Sequence, residues 1–408
     1  MKIIHTSDWH LGRLLHGRKR YEAFKRFLEW MIDYIKENKI QVLLISGDIF
    51  DTNTPSNTAL ELYYQFLGNL INSVCRHIII IAGNHDSPAL LNAPKELLRY
   101  FNIHVIGSIS DDISDEIIEV KDHVGITKLI VCAVPFLRDR DIRCAEAGES
   151  IQDKEKKMLD GIKNHYEAVC TLANQRRNGA EIPVIVMGHL FTAGGKVVED
   201  DGVRELYIGS LAHVHHQIFS EEVDYVALGH LHVPQKVAQS EKIRYSGSPL
   251  AMGFGEARQR KIICLLETEG KKVNVSEITL PVFQQLESIR GDKSEILQKL
   301  EKLVLRDEEI LAEVIYTGEE IWSDFKTIVE SIVSGSKIDV VRTKNMRTFN
   351  AIFQREESRE TLDELSKEEV FKRCLTANQI SQEEQAELNQ TFSEAITFVP
   401  ATKSLAVF

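Results

Sequence analysis

The sequence predicts an α/β fold of the α+β sandwich type, in which two packed sheets are flanked by helices. Five short apolar runs each end at Asp, Asn or His, as expected where buried parallel strands enter polar loops. A helical apolar pattern follows the first run and indicates a βαβ unit. Three further runs predict strands that close a second sheet, at 243–246, 261–267 and 273–280.

The first apolar run, Ile3 and Ile4, is followed within a few residues by Asp8 and His10. Beyond this loop, apolar side chains recur at helical spacing and predict a crossover helix. The residues that form its buried face are Tyr21, Phe24, Leu28, Met31 and Ile35.

The second run, Val42 to Ile45, leads into Ser-Gly-Asp and places Asp48 at the carboxyl end of a central strand. Ligands of open α/β sheets bind at that edge, although Gly-Asp after a strand is by itself more often an ordinary turn. Asp51 follows three residues later. Thr54 then predicts a helix cap, with Pro55 at the first helical position and apolar residues on more than one face up to Ile71.

The other three runs end in the same way. Residues 78–81 precede Asn84, His85 and Asp86; residues 184–187 precede His189; and residues 225–228 precede His230 and His232. A second apolar helix is predicted from Leu90 to Phe101, a less regular stretch at 108–119, a strand at 129–134 and a polar helix at 154–174. The excess apolar surface on the two early helices predicts self-association.

Convergence of five strand ends on one metal site explains these polar loops with a single cause. The candidate ligands are Asp8, His10, Asp48, Asn84, His189, His230 and His232. Carboxylate, amide and imidazole ligands suit manganese, iron or zinc, and no Cys lies in the loops to form a structural thiolate site. The set is too large for one ion with an open position, so two ions sharing a carboxylate are predicted, with Asp48 as the natural bridge.

Composition limits the class of protein. The chain has 408 residues, 43% hydrophobic and 27% charged, which predicts a globular protein of two or three domains. Its net charge of −12 argues against a nucleic-acid coat protein. A local basic run could still contact DNA, or could simply be a solvated loop; it consists of Arg13, Arg18, Lys19 and Arg20.

Cysteine use and hydropathy indicate the compartment. The six cysteines are scattered without C-x-x-C spacing, as in a reducing environment. We find no signal-peptide pattern and no apolar stretch of membrane-spanning length, and we therefore expect a cytoplasmic protein that does not enter a membrane.

Beyond residue 280, alternating strand and helix patterns predict a small α/β domain at 281–345, followed by a polar linker at 346–360. The C-terminal segment 361–408 carries two S-x-x-E capping signals, which predict two short helices with too little apolar surface to stand alone. Residues 351–408 contain 11 acidic and six basic residues, so a protein groove is a better target than DNA. Docking back onto the chain's own domains is the alternative.

The motifs D-x-H, G-D-x-x-D, G-N-H-[DE], G-H and G-H-x-H occur in this order, and in this respect the chain resembles the calcineurin-like metallophosphoesterases. That resemblance implies a four-layer sandwich and two divalent ions. Three further stretches resemble the SbcD family of bacterial nuclease subunits: 6–12, Gly247-Ser248-Pro249 and 360–371. This second resemblance implies that 281–345 is a capping domain.

The family pattern, carried onto this sequence, assigns a role to each motif residue. It implies one ion held by Asp8, His10, Asp48 and His232, and a second held by Asp48, Asn84, His189 and His230, with Mn²⁺ as the expected metal. His85 is then the imidazole that faces the phosphate and protonates the leaving oxygen, and Asp51 orients it. Asp86 has no equally clear role. Ala82 stands where phosphoprotein phosphatases carry Arg, which moves the expectation away from that group.

The resemblance implies a DNA endonuclease and exonuclease that processes ends, hairpins and double-strand breaks in repair, recombination and replication. It also implies a homodimer and an SbcC-type coiled-coil ATPase bound through the C-terminal helices. Two alternatives remain at this stage: a small-molecule or nucleotide phosphodiesterase of the same fold, and a metal-free binding scaffold. The intact ligand set argues against the scaffold, and the extra domain and tail argue against the small-molecule enzyme.

Overall fold

The computed structural model describes residues 1–71, 73–142, 149–192 and 214–346, and five single positions near the C-terminus. The chain divides into two compact units, Met1–Leu286 and Glu287–Phe408. The predicted linker and C-terminal helices lie almost entirely outside the described residues.

Four parallel strands, ending at one edge strand, form most of the first sheet. They are β1 (Lys2–Thr6), β2 (Val42–Ser46), β3 (His77–Ile81) and β4 (Ile103–Ile106), hydrogen-bonded in that order. The register pairs the last residue of β1 with Ile45 and the last residue of β2 with Ile81, so their carboxyl ends are level. The polar loops after β1, β2 and β3 therefore leave the sheet at one edge.

Four helices cover the outer face of this sheet: α1 (Tyr21–Glu37), α2 (Asn57–Leu70), α3 (Pro88–Asn92) and α4 (Lys95–Arg99). Two details differ from the sequence-based expectation. The cap of α2 is Ser56, whose side chain accepts from the Ala59 N–H, and not Thr54. The single helix expected from Leu90 to Phe101 is broken into α3 and α4, because Pro94 lacks an N–H and cannot lie inside a helix.

The second sheet has the strand order β5-β6-β7-β8-β10-β9. Its strands are β5 (Ile117–Lys121), β6 (Thr127–Ala133), β7 (Val184–His189), β8 (Tyr225–Gly229), β9 (Gln235–Lys236) and β10 (Ile243–Tyr245). The short helix α5 (Asp139–Ile142) and the long helix α6 (Ile151–Arg177) lie between β6 and β7 in the chain. Part of the stretch expected to be irregular is ordered, since β5 begins at Ile117.

The strands β11 (Ile262–Glu269) and β12 (Lys272–Thr279) correct one expectation. They were predicted to close the second sheet, but β11 pairs antiparallel with β1 of the first sheet. The side chains of Ile262, Cys264 and Leu266 face the space between the sheets, and Ile263 faces the helices. Burial on both faces explains why the sequence pattern alone did not identify the partner sheet.

The two sheets pack face to face through an apolar core. Ile3, Val42 and Ile79 of the first sheet meet Val131, Ile185 and Ala227 of the second in one buried cluster. Outside the sheets, α1 and α2 pack on one face and α6 packs on the other through Tyr166, Val169 and Ala173. The order of layers is helix, sheet, sheet, helix, which confirms the predicted four-layer sandwich.

The second unit contains a three-stranded sheet of order β13-β14-β15 with two helices. Its elements are β13 (Gln285–Gly291), α7 (Lys293–Val304), β14 (Ile310–Tyr316), α8 (Phe325–Val333) and β15 (Ile338–Asn345). Ile296, Leu300, Val314 and Val329 form its own buried core. The predicted alternation of strand and helix is present here.

Four cysteines fall within the described part of the chain, and all are buried and free. In the same residues, no helix combines the length and the apolar character needed to cross a membrane.

Candidate metal centre

The seven candidate ligands meet at the carboxyl edges of the two sheets. They come from the loops after β1, β2 and β3 and from the ends of β7 and β8. Six of them are buried almost completely, and Asn84 is half-buried. Unpaired polar groups are costly in such a place, so this arrangement of His, Asp and Asn needs internal partners or a ligand.

Main-chain hydrogen bonds join the loops to one another. The Asp8 N–H donates to the Gly47 carbonyl over 3.0 Å, and the His10 N–H donates to the Asp48 carbonyl over 2.9 Å. The carboxylates complete the network, because Asp8 accepts from the His230 N–H and Asp48 accepts from the His85 N–H, each at 2.9 Å. The positions of the side chains are therefore set by backbone contacts within the protein.

Several ligand candidates have backbone conformations that L-residues rarely adopt. The φ angles of Asp8, His10, Asp48 and His230 are 54°, 48°, 50° and 108°. Such strain is typical of functional sites, where the surrounding structure imposes it. Gly83 shows how closely the loops approach, since a Cβ atom there would lie 2.1 Å from Oδ1 of Asp48.

A first group consists of Asp8, His10 and His232, whose ligand atoms all lie within 4.8 Å of one another. The Nε2 atoms of the two imidazoles face each other at 3.0 Å. Each Nδ1 atom lies 3.4 Å from a carboxylate oxygen, of Asp51 for His10 and of Glu256 for His232. With Nδ1 directed at a carboxylate, each ring presents the Nε2 lone pair to the same point.

A second group consists of Asp48, His189 and His230, and Asn84 lies beside it. The Nε2 atom of His189 is 3.3 Å from Oδ2 of Asp48 and 3.0 Å from Oδ1 of Asn84. The other ring nitrogen of His189 donates to the Ser46 carbonyl over 2.9 Å.

The Nε2 atom of His230 is buried and has no hydrogen-bond partner among the described residues. An orphaned imidazole nitrogen beside a carboxylate and an amide oxygen fits a divalent cation of the manganese, iron or zinc type.

The pKa values of neighbouring side chains in the cluster are shifted in opposite directions. Burial alone would raise the pKa of Asp48, but the charge and hydrogen bond of His189 outweigh burial and hold that pKa well below its usual value. Burial would lower the pKa of His189, but Asp48 raises it to about 9. Burial raises the pKa of Asp8 to about 6 and lowers the pKa of His10 to about 3. Asp48 is therefore the carboxylate of this cluster whose pKa the neighbouring imidazoles lower.

His85 lies beside the first group and is buried, with only 3% of its surface exposed. Its Nδ1 donates to the main-chain carbonyl of Asp51 over 2.7 Å, and its ring packs edge-on against His10. Asp51 thus contacts His85 through the main chain, while its carboxylate lies 3.0 Å from Arg13 and 3.4 Å from His10. The sequence did not distinguish between these two contacts of Asp51.

Asp86 is fully buried and connects two of the loops. Its carboxylate accepts from the N–H groups of Ile49, Phe50 and Gly83 over 2.8–3.2 Å. Burial, followed by the charge of Asp48, raises the pKa of Asp86 to about 7. Asp86 fixes the loop that carries Asp48, a role that sequence motifs left open.

The basic run after the first loop does not act as one patch. Arg18 and Lys19 are exposed, and Arg13 is partly buried against Asp51. Arg20 corrects the expectation of a DNA contact, because it is 2% exposed and donates to the Ala251 carbonyl and to Gln284. Its guanidinium also lies over the Phe24 ring.

Sequence reasoning did not identify Glu256 and Lys261, which lie behind His232. Both are buried, and their side chains form an ion pair. Lys261 also donates to the His232 carbonyl over 3.1 Å. No motif or spacing in the sequence signals this pair, because it is distant in the chain from the loop that it supports.

Comparison with known proteins agrees with this architecture. A model of the calcineurin-like phosphoesterase family matches residues 1–234, and a model described as the type 5 capsule protein repressor C-terminal domain matches residues 282–379. The SbcD subunit of the SbcCD nuclease from Escherichia coli K12 is 32% identical over 399 residues, covering 97% of this chain and 98% of the relative.

Two further relatives are SbcD subunits of the same nuclease in other bacteria. The Rhodobacter capsulatus protein is 30% identical, with 75% of this chain and 77% of the relative aligned. The Bacillus subtilis protein is 32% identical, with 69% of this chain and 70% of the relative aligned.

Proposed function

The chain belongs to the calcineurin-like phosphoesterase family and, within it, to the SbcD nuclease subunits, and on this basis we propose that its buried cluster holds two divalent cations and hydrolyses DNA phosphodiesters. Membership makes the protein a metal-dependent nuclease, a hydrolase, and the SbcD component of an SbcCD-type nuclease. The small-molecule and scaffold alternatives are set aside, because a relative named as a subunit of the SbcCD nuclease aligns with 97% of the chain.

The observation that carries the two-cation proposal is the position of Asp48. One of its carboxylate oxygens, Oδ2, lies 3.6 Å from Nε2 of His10 in the first group and 3.3 Å from Nε2 of His189 in the second. A single ionised carboxylate between two sets of ligands is the arrangement expected for two cations that share one ligand.

We assign one cation to Asp8, His10, Asp48 and His232. The other is assigned to Asp48, Asn84, His189 and His230. Nitrogen and oxygen ligands in equal measure favour manganese, iron or zinc over Mg²⁺ or Ca²⁺, which prefer oxygen alone. Of these three, Mn²⁺ is the proposed metal because the family resemblance implies it.

When bound, the two cations supply Lewis acidity and positive charge beside the phosphate. His85 supplies the proton for the leaving oxygen as a general acid. Its Nδ1–H is engaged by the Asp51 carbonyl, so the imidazolium form would transfer its second proton from Nε2 and remain a neutral ring with the Nδ1–H in place. The proposed substrates are DNA ends, hairpins and double-strand breaks, cut by endonuclease and exonuclease action, with Arg13, Arg18 and Lys19 as the remaining candidates for DNA contact.

The test of this function is replacement of Asp48. Asp48→Asn keeps the size of the side chain but removes the charge that both cations share. We expect at least a ~100-fold loss of plasmid and hairpin cleavage with Mn²⁺, together with loss of bound metal by mass spectrometry, because even the groups behind metal ligands commonly affect activity by ~10–100-fold. The exposed Asp307→Asn is the matched control, and full activity of Asp48→Asn at saturating Mn²⁺ would disprove the shared-ligand proposal.

The proposed protein partner is an SbcC-type coiled-coil ATPase. The relatives are named as one subunit of SbcCD, and segment 361–408 is the proposed contact. The excess of acidic residues over 351–408 supports a protein partner for this segment.

We also propose a homodimer and a cytoplasmic location. On and just after α4, Leu97, Tyr100 and Phe101 are 64%, 87% and 45% exposed, and Tyr64 of α2 is 40% exposed. Exposed apolar residues on helices that cover the same face of the first sheet support self-association there. Buried free cysteines in the described residues support a reducing compartment.

A further inference from the structure

We propose that Glu256, together with Lys261, is a positioning residue that fixes the tautomer and orientation of His232 as a cation ligand. The inference rests on the proposed two-cation function and adds a residue that none of the sequence motifs contains. It also gives a role to the loop Gly247-Ser248-Pro249, which the sequence singled out but the catalytic assignment does not use.

The contact to the imidazole is the first step. Oε1 of Glu256 lies 3.4 Å from Nδ1 of His232, and both residues are at most 2% exposed. Among the described residues this oxygen has no hydrogen-bond partner, and the ion-pair contact with Nδ1 of His232 is the one that the structure shows for it. A neutral imidazole has one N–H, and a carboxylate behind Nδ1 keeps it there, so that Nε2 retains its lone pair for the cation.

The second step is the support of Glu256 itself. Its other oxygen, Oε2, accepts from the Met252 N–H at 3.1 Å and from the Ser248 hydroxyl at 3.4 Å, and it pairs with Lys261. These contacts occupy Oε2 and hold the carboxylate plane in place. Oε1 is thereby left facing His232.

Lys261 and Ser248 also form hydrogen bonds to the main chain of His232. The Lys261 ammonium and the Ser248 N–H both donate to the His232 carbonyl over 3.1 Å. A Cβ atom at Gly247 would lie 2.7 Å from that carbonyl oxygen, so only glycine allows the loop to pack so closely. The imidazole and the backbone of His232 are therefore held by one buried unit, which we call the Glu256–Lys261 pair.

The other imidazole of the first group offers a comparison. The Asp51 carboxylate takes the same position behind Nδ1 of His10, also at 3.4 Å, but it is 20% exposed and is shared with Arg13. His189 of the second group is held by the Ser46 carbonyl instead. Loss of Glu256 should therefore affect the cation of Asp8, His10 and His232 and leave the other cation in place.

The test compares cation binding in two variants with the full-length wild type. Glu256→Gln removes the carboxylate charge, and the double variant Glu256→Gln, Lys261→Met removes both members of the pair so that no unpaired buried charge remains. After metal removal, Mn²⁺ is titrated by calorimetry and bound ions are counted by mass spectrometry. We expect ~10–100-fold weaker binding of one ion, unchanged binding of the other, and recovery of nuclease activity at high Mn²⁺.

The matched control is Glu313→Gln, which alters a buried carboxylate in the second unit. It should lower thermal stability without affecting either ion. Unchanged affinity for both ions in the double variant, or a fall in melting temperature with no change in ion binding, overturns the positioning role. A wild-type protein that binds no ions overturns the proposed function as well, so the two failures are distinguishable.

Discussion

At the scale of single residues, the site is defined by which nitrogen of each imidazole is occupied by the protein. His10, His85 and His189 each have Nδ1 close to an oxygen atom of Asp51, the Asp51 main chain or Ser46, which directs Nε2 toward the centre. The positive φ angles at Asp8, His10 and Asp48 turn these side chains inward at some conformational cost. Ligand geometry is thus built into the loops.

Replacement of His85 tests whether chemistry can be separated from cation binding, as its proposed role as general acid requires. In His85→Gln we expect the rate of DNA cleavage to fall by ~10²–10⁴-fold, because a general acid is lost, while the metal content stays at the wild-type value. Single-turnover cleavage and mass spectrometry of bound metal measure the two quantities. Loss of an ion along with activity would instead identify His85 as a ligand.

At the scale of elements, the two sheets are joined by a buried polar contact as well as by apolar packing. His5 of β1 accepts a hydrogen bond from the Tyr225 hydroxyl at 2.9 Å and donates to the Leu228 carbonyl at 3.1 Å, both on β8. This pattern requires the neutral imidazole with its proton on Nε2. Burial lowers the pKa of His5 to about 3, against a weaker opposing effect of the Leu228 carbonyl.

The depressed pKa of His5 predicts a pH dependence of stability. In the unfolded state His5 binds a proton with a pKa near 6.5, whereas in the folded state it does so only near pH 3. The neutral His5 therefore contributes its full share of the unfolding free energy above pH 6.5, and this share declines as the pH falls from 6.5 to about 3. His5→Gln should therefore show a flatter loss of unfolding free energy toward acid, measured by denaturant titration. Exposed His123→Gln is the control, and a difference between wild type and His5→Gln that is constant with pH would contradict the prediction.

The helix α4 and the residues after it provide the test of self-association. If the proposed homodimer forms through this surface, Leu97→Glu with Tyr100→Glu should give a folded monomer in light scattering, since charges replace exposed apolar groups. Phe66 of α2 is unsuitable for this purpose because it is buried against Trp9, and a charge there would unfold the protein. Leu305→Glu, at an 84% exposed position of the second unit, is the matched control. An unchanged dimer in the double variant would place the interface elsewhere.

At the scale of the whole molecule, we propose that nuclease activity and ATPase binding belong to different parts of the chain, and truncation tests this. Removal of all residues after Arg355 leaves every described strand and helix intact up to β15. We expect Mn²⁺-dependent nuclease activity to remain and co-purification with the SbcC-type ATPase to be lost, because the C-terminal segment is its proposed contact.

A shorter deletion after Pro400 is the control for this truncation. It should keep the ATPase bound, because it leaves in place both S-x-x-E capping signals and the two helices that they predict within segment 361–408. If the segment docks on the chain's own domains, the longer truncation lowers thermal stability and leaves the complex intact. Normal ATPase binding by the longer truncation would therefore refute the proposed contact.

The sequence alone was enough to predict the sandwich, most of its strands, and the polar loops at one edge of the sheets. Each of these follows from local patterns: apolar runs of strand length, helical periodicity, and Asp, Asn or His at the end of a run. The predicted start of a helix was wrong where two nearby residues could both act as the cap. At α2, Ser56 and not Thr54 accepts the capping hydrogen bond.

Tertiary structure decided what depends on approach between distant segments. It paired β11 with β1, buried Arg20, gave His85 the main-chain oxygen of Asp51 in place of its carboxylate, and brought Glu256 and Lys261 behind His232. The physical reason is common to all four cases. A side chain's partner is fixed by the close packing of loops that are far apart in the chain, whereas residue type and spacing report only what a segment can do by itself.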